Sequence, residues 1–406
     1  MNSHQGDKAK NLRGILVALL VGVLVCGLTW LALTPQQAAL LGMIALMVVL
    51  WSNEALPLGV VSLLPVIAFP ALDIASTSAV APNYAKSIIF LFLGGFLLAI
   101  AVEKTGLHRV IADRVLRIFP DTARGMIFAL AITSGLLSAF LSNTTTALLL
   151  MPLALFLSDS NTLRMRFTLA VAYGASVGGI ITPIGTPPNL ILYGILDDLQ
   201  LAAIPFMQWV ILVFPLAMLM FVVVAWMLSV GTGNRRIERD TATGALTADQ
   251  RKVGWALLLL IGLLFANSPI QPYYAGLGLN EKGMLLAFGL MMFLPPFSVL
   301  QWRDTQKIPY EIIFLFGAGF SIASAFTHTG LAEELATMLS ALTELPPLML
   351  LVVVAALVTF STEITSNTAL ISMMLPVIHV VSEQNGLDTR LLMMVATLCA
   401  SYAFML

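Results

Sequence analysis

Between residues 126 and 157, and again between 346 and 381, a long apolar run is broken near its middle by a short polar one. The breaks are Ser142-Asn143-Thr144-Thr145-Thr146 and Thr365-Ser366-Asn367-Thr368. In hydrocarbon such a break is a severe constraint, because unpaired backbone donors and acceptors are costly there unless they line a protected or wet cavity. Hydrocarbon is where composition puts them. Of the 406 residues, 59% are hydrophobic and 10% charged, against about 25% charged in an ordinary soluble protein. That leaves too little polar surface to cover the apolar side chains in water, so the chain belongs in a bilayer. The formal net charge is -1, and no Lys/Arg run interleaved with aromatics offers nucleic acid a footprint. Cys26 and Cys399 lie in separate apolar segments, away from any metal-ligand spacing, and read as packing residues.

Full crossings are expected at 14–34, 37–51, 57–72, 86–103, 167–196, 205–230, 253–268, 283–298, 310–327 and 391–406, several of them short or broken. The first is longer than a signal-peptide core and lacks a small-residue cleavage pattern, so it reads as a retained helix. The stretches 126–157 and 346–381 read as helical hairpins that enter and leave by one face. With the N-terminus cytoplasmic and sides exchanged only at full crossings, every one of the 20 Lys and Arg residues except Lys86, Lys282 and Arg390 falls inside, as the positive-inside rule asks. Counting either hairpin as an odd number of crossings destroys that bias. Residues 231–252 then form a cytoplasmic linker, with Arg235, Arg236 and Arg239.

A repeat runs through the chain at a constant offset of 224 residues. Ile88-Ile89-Phe90-Leu91-Phe92 matches Ile312-Ile313-Phe314-Leu315-Phe316, Gly95-Phe96 matches Gly319-Phe320, and Thr105-Gly106-Leu107 matches Thr329-Gly330-Leu331. The same offset superposes Ser142-Asn143-Thr144 on Ser366-Asn367-Thr368, Pro152 on Pro376 and Arg166 on Arg390. Polar residues held in register over that distance are not what chance similarity between apolar helices produces. The loops after the two copies differ in sign: Arg109, Arg114, Arg117 and Arg124 follow the first, Glu333, Glu334 and Glu344 the second. Equivalent loops therefore face opposite sides. Inverted copies with matching interrupted segments are the pattern of secondary transporters, whose site lies near the midplane where the halves meet.

In the first half the interruptions are Ser138 to Thr144 and Thr182-Pro183-Ile184-Gly185-Thr186-Pro187-Pro188-Asn189. Prolines and a glycine at this density cannot continue a helix, so carbonyls are freed and a new helix starts near Pro187. Freed carbonyls with Ser, Thr and Asn oxygens suit a hard monovalent cation such as sodium, while half-helix N–H groups suit a carboxylate. A lone Ser or Thr would read as helix–helix glue; two equivalent Ser-Asn-Thr turns and a Pro-rich turn read as a site. Glu363 could carry a proton, but its counterpart at the offset is Ala139, and it reads as structural or interfacial. No Lys or Arg lies in these motifs, so an anion would depend on co-bound cations. Symmetry asks for at least two cation sites; two sodium ions carry a dianion across neutral, and a third would make the step electrogenic.

These motifs resemble the divalent anion/sodium symporter family, above all its bacterial succinate-type members, over essentially the whole chain. The resemblance implies an all-α polytopic protein with two inverted repeats, each with a re-entrant hairpin and a broken helix, in a bacterial inner membrane. It implies a homodimer whose scaffold (1–125 and 205–345) supports an elevator-type transport domain (126–204 and 346–406). Substrate contacts are implied for Asn143, Thr144, Thr186, Ser366, Asn367 and Thr368. One sodium site is implied at Ser138, Ser142, Asn143 and Gly185, the other at Thr362, Thr365 and Asn367. At the offset Thr182 maps to residue 406, so a second Pro-rich turn and a last helix are expected beyond the chain as written.

Three other readings compete. A passive anion channel lacks support from pore-lining repetition about an axis. A membrane enzyme lacks a metal-binding His pair, a Ser/Lys dyad or a nucleotide loop, and His4, His108, His328 and His379 are scattered. The nearest rival is a related antiporter or proton-coupled carrier.

Overall fold

The computed structural model describes residues 2–233, 236–237, 245–269, 273–338, 346–384 and 386–404. Arg235, Arg239 and Glu344, part of the expected linker and the last two residues of the expected span 391–406 lie outside them. Among the described residues there are helices and turns but no strand, only an isolated bridge between Thr122 and Arg236. Among the described residues five helices are long and apolar enough to cross a membrane: Asn11–Thr29, Pro35–Asn53, Thr77–Thr105, Phe206–Ser229 and Tyr310–Thr329. Leu16, Leu20, Val23 and Leu28 on the first, and Ile211, Leu212, Leu219 and Val222 on the fourth, are exposed. Surface leucines in this density are stable only against lipid.

Several expected crossings are divided. The segment 57–72 forms Leu58–Ser62 and Leu64–Ala71, the second with a proline in its first turn. The segment 283–298 is helical only over Glu281–Met291; Pro295 and Pro296 follow, neither able to donate to a continuing helix, and the Met292 carbonyl instead accepts from Val299 and Leu300 N–H. The segment 167–196 is split between Asn161–Gly179 and Pro187–Asp198, as the prolines require. The last expected crossing is a helix over Thr389–Cys399.

The chain divides into two compact units, one of Met1–Ile89, Leu190–Ala203 and Pro309–Leu406, the other of Phe90–Asn189 and Ile204–Ile308. In the first, the opening helix pair meets backbone to backbone. A Cβ on Gly42 would lie 2.7 Å from Cys26 Cβ and 2.8 Å from the Gly22 carbonyl, close approach of the kind small residues permit in membranes. Both cysteines are free. Thr34 and Gln37 form a reciprocal capping box at the start of Pro35–Asn53, and Gln37 Nε2 also donates to the Thr329 carbonyl at 2.9 Å. Helix Tyr310–Thr329 is buried among Leu40, Ile44, Met47 and Phe69, with Ile322 and Phe326 inside the same core.

In the second unit, helices Ala123–Ser138 and Asn161–Gly179 pack through Gly135, Gly174 and Gly178. Trp209 Nε1 donates to the Ile180 carbonyl at 2.9 Å, fully buried. The Glu281 carboxylate accepts the Phe206 N–H at 2.9 Å, placing a negative charge at the first turn of Phe206–Ser229, where the helix dipole favours it. Lys104–Asp304 (2.6 Å) and Lys307–Glu103 (2.8 Å) fasten the segment 302–307 to the end of the helix Ser87–Thr105. The Lys104 hydrogen bond holds the Asp304 carboxyl below the usual range.

Candidate functional site

Each interrupted apolar run folds as two helices joined by a short turn. In the second unit they are Ala123–Ser138 and Asn143–Phe156; in the first unit, Pro347–Thr362 and Asn367–Gln384. Three of these four ends recur at the 224-residue offset. The turns form there because Ser and Asn side chains compete for backbone groups and cap helices rather than continue them. Ser142 is the N-cap of its helix: its Oγ accepts the Thr145 N–H at 3.1 Å and donates to Thr145 Oγ1 at 2.8 Å.

The first tip gathers oxygens. The Ser138 hydroxyl, fully buried, donates to Asn143 Oδ1 at 2.5 Å. Gly179 lies so close that a Cβ there would be 2.6 Å from the same Oδ1. A Cβ on Gly185 would lie 2.4 Å from the Gly179 carbonyl and 3.0 Å from that of Ser138. The broken helix is held by Thr182, whose hydroxyl donates to the Ala139 carbonyl, and by Asn189, whose Nδ2 donates to the Thr182 carbonyl at 2.9 Å. Asn189 Oδ1 and Thr146 Oγ1 are buried and have no hydrogen-bond partner among the described residues. Thr186 is buried and Thr144 exposed.

In the second tip the Thr362 hydroxyl, also buried, donates to Asn367 Oδ1 at 2.6 Å and reaches the Ala400 carbonyl at 2.9 Å. Residues 138 and 362, and 143 and 367, are each 224 apart, so the hydroxyl-to-amide bond is made by equivalent positions. Thr365 donates to the Ser361 carbonyl at 3.0 Å, Thr368 is buried with its carbonyl accepting from Ser372, and Ser366 is half-buried. The amide nitrogens of Asn143 and Asn367 donate no hydrogen bond among the described residues, leaving each free to meet an acceptor. The tips belong to different compact units, and each makes these bonds with partners inside its own unit.

These groups are neutral. Among the described residues no three or more His, Cys, Asp or Glu side chains gather in a form that could hold a metal ion. What each tip offers instead is hydroxyl, amide and carbonyl oxygen beside a helix N-terminus, chemistry that matches a weakly polarising cation together with a carboxylate. Gly179, whose missing side chain admits Asn143, leaves no trace in the sequence beyond the paired glycines at 178–179. The Ala400 carbonyl leaves none, since no side-chain pattern encodes it.

Glu363 has a defined place. Its Oε1 accepts the Phe404 N–H at 2.7 Å, tying the second turn to the segment after Thr389–Cys399. Glu363→Gln retains an acceptor oxygen and is expected to keep transport within about two-fold with an unaltered pH profile, whereas Glu363→Leu, which removes that acceptor, should lose about 1–3 kcal/mol of stability. Uptake against pH and thermal unfolding of both variants check this. A pH profile changed in Glu363→Gln would mark a proton carrier.

The citrate transporter family model matches residues 46–399. The sodium-dependent dicarboxylate transporter SdcS of Staphylococcus saprophyticus is 30% identical over 443 residues, covering 100% of this chain and 85% of that protein. SdcS of Staphylococcus aureus strain USA300 is 28% identical over 432 residues, covering 97% and 83%. Among solved structures, the Alcanivorax borkumensis YdaH transporter is similar with a TM-score of 0.50 at 17% identity, covering 80% of this chain and 76% of that one, a likeness of fold. Apolar spanning helices, a family match over most of the length and full-length similarity to membrane transporters agree: the chain is a multi-pass helical membrane protein of the citrate transporter family.

Proposed function

We propose that the protein couples an inward sodium gradient to uptake of a divalent anion, a C4 dicarboxylate such as succinate. The observation that carries this reading is the bond made twice, Ser138 to Asn143 and Thr362 to Asn367. Each bond fixes an asparagine at a helix start with its amide nitrogen unused. Sodium is assigned at Ser138, Ser142, Asn143 and Gly185, and at Thr362, Thr365 and Asn367. The anion is assigned to Asn143, Thr144, Thr186, Ser366, Asn367 and Thr368. The similarity to proteins named sodium-dependent dicarboxylate transporters supports both the ion and the substrate class.

Neutral donors explain the coupling. A dianion stripped of water needs positive potential, and with no Lys or Arg in the tips that potential comes from the bound sodium ions. Without sodium the anion binds poorly, so substrate does not cross alone. The reading extends to inverted repeats, N-terminus cytoplasmic, in a homodimer whose hairpin domains (126–204 and 346–406) carry the site past a scaffold (1–125 and 205–345) as an elevator.

The test is radiolabelled succinate uptake into proteoliposomes under an inward sodium gradient, a potassium gradient or a proton gradient, with citrate and sulfate as competitors. Uptake only with sodium is expected. Equal uptake with protons alone would favour a proton-coupled carrier, and downhill flux with no ion requirement a channel.

A further inference from the structure

The second unit holds a cavity of about 610 Å³ that the transport reading does not use. It runs along one stripe of the helix Ala248–Asn267, through Arg251, Trp255, Leu258, Ile261 and Leu264. At 1.5 Å per residue, Arg251 to Leu264 is about 20 Å, comparable with the roughly 15 Å depth of one hydrocarbon leaflet. The facing wall of the helix Leu107–Leu116 is a stripe of the same period, Leu107, Val110, Ile111 and Arg114.

The lining is apolar almost throughout. Besides the indole of Trp255, its polar side chains are Arg114, Arg251 and Gln250. Gln250 is occupied, closing the Thr247 capping box and donating to the Thr105 carbonyl at 3.0 Å. Arg114 and Arg251 are exposed and have no ion-pair partner among the described residues. Trp255 (71% exposed) and Leu258 (61%) carry the lining out onto the exposed face of their helix. Trp is a residue of the headgroup level.

An apolar groove of about leaflet depth, open on the exposed apolar face of its helix, with two guanidiniums that have no ion-pair partner among the described residues beside an exposed tryptophan, matches one ligand class. We propose that this cleft binds an anionic glycerophospholipid, one acyl chain along the stripe and its phosphate between Arg114 and Arg251. Guanidinium presents paired donors to phosphate oxygens, and basic pockets between spanning helices are known holders of anionic headgroups. A dicarboxylate has no acyl chain to fill such a groove. The cavity is also walled by Leu137, Phe140 and Leu141 of the first hairpin and by Ile184 of the Pro-rich turn, so the lipid would pack against the elements that carry Ser138, Asn143 and Gly185. The site thereby becomes sensitive to membrane composition.

The test uses binding and so does not depend on the transport reading. Full-length protein in neutral detergent is titrated with phosphatidylglycerol, phosphatidylcholine or inorganic phosphate, followed by thermal unfolding, and co-purified lipid is identified by native mass spectrometry. Phosphatidylglycerol is expected to raise the midpoint by about 3 °C more than phosphatidylcholine, and phosphate to leave it unchanged. Arg114→Gln/Arg251→Gln should lose that increment. A Cβ on Gly254 meets only Leu107 Cδ2, at 3.9 Å, so Gly254→Leu should fill the cleft, keep the lipid-free midpoint and also abolish the increment. Equal effects of the two lipids, a shift with phosphate alone, or an increment that survives in Gly254→Leu would overturn the assignment.

Discussion

Asn143→Ala and Asn367→Ala are each expected to lower sodium-driven uptake about 100-fold or more, to the level of protein-free liposomes, while both proteins still insert and purify as the wild type does. The amide oxygen in each case accepts a buried hydroxyl, from Ser138 at 2.5 Å and from Thr362 at 2.6 Å. Truncation of Asn143 strands the Ser138 hydroxyl, whereas Thr362 keeps the Ala400 carbonyl when Asn367 is truncated; on the proposed assignment each truncation also removes an oxygen from a cation shell and a donor from the anion. A hydrogen bond to a charged group is worth about 1.5–3 kcal/mol, and two such losses at about 1.4 kcal/mol per tenfold give at least the stated drop. The structural cost should be smaller, since neither side chain lies in the apolar core. Ser138→Ala, which keeps Asn143 but frees its rotamer, should fall between. Uptake measured against sodium concentration separates the contributions: a weakened cation shell shifts the sodium dependence, whereas loss of an anion donor alone raises the half-saturating substrate. Wild-type rates in both alanine variants would remove the tips from the mechanism.

Gly178→Val is expected to abolish folded protein rather than slow it. A Cβ at that position would sit 2.1 Å from the Gly135 carbonyl oxygen and 2.2 Å from Gly135 Cα, and Gly174 is held as tightly, 2.4 Å from the Ala131 carbonyl. These contacts are with backbone, so no rotamer change relieves them. The helices Ala123–Ser138 and Asn161–Gly179 would have to separate, and Gly179 would move away from Asn143. The cost exceeds the about 1–3 kcal/mol of ordinary overpacking. Gly262 provides the control: nothing lies within 4 Å of its Cβ position and it is exposed. Gly262→Val should therefore leave yield, unfolding midpoint and uptake unchanged. Fluorescence-detected size exclusion of the two variants decides it, and a monodisperse Gly178→Val protein would show that the helix pair tolerates separation.

The environment, the two hairpins and their tips could be read directly from the chain. Hydropathy summed over twenty residues is a local property, and so is the inability of Pro-rich or Ser-Asn-Thr runs to continue a helix. The expected interruptions at 138–144, 182–189 and 365–368 accordingly overlap the turns at 139–142, 180–186 and 363–366, though each runs on into the first residues of the following helix. Local reasoning was weaker for helix length: 283–298 and 391–406 are apolar enough to suggest full crossings but are helical over only Glu281–Met291 and Thr389–Cys399.

Which atoms meet was beyond that reasoning. That Glu363 accepts the Phe404 N–H, that the Thr362 hydroxyl reaches the Ala400 carbonyl, and that Gly179 makes room for Asn143 all depend on segments distant in sequence arriving in contact. The lipid-sized cleft is likewise made by three separate helical stripes, none unusual alone. Partition into hydrocarbon and backbone breaking act residue by residue and leave a trace along the chain. Contacts between backbones, and the cavities left where side chains fail to meet, are set by distances that exist only once the helices have packed.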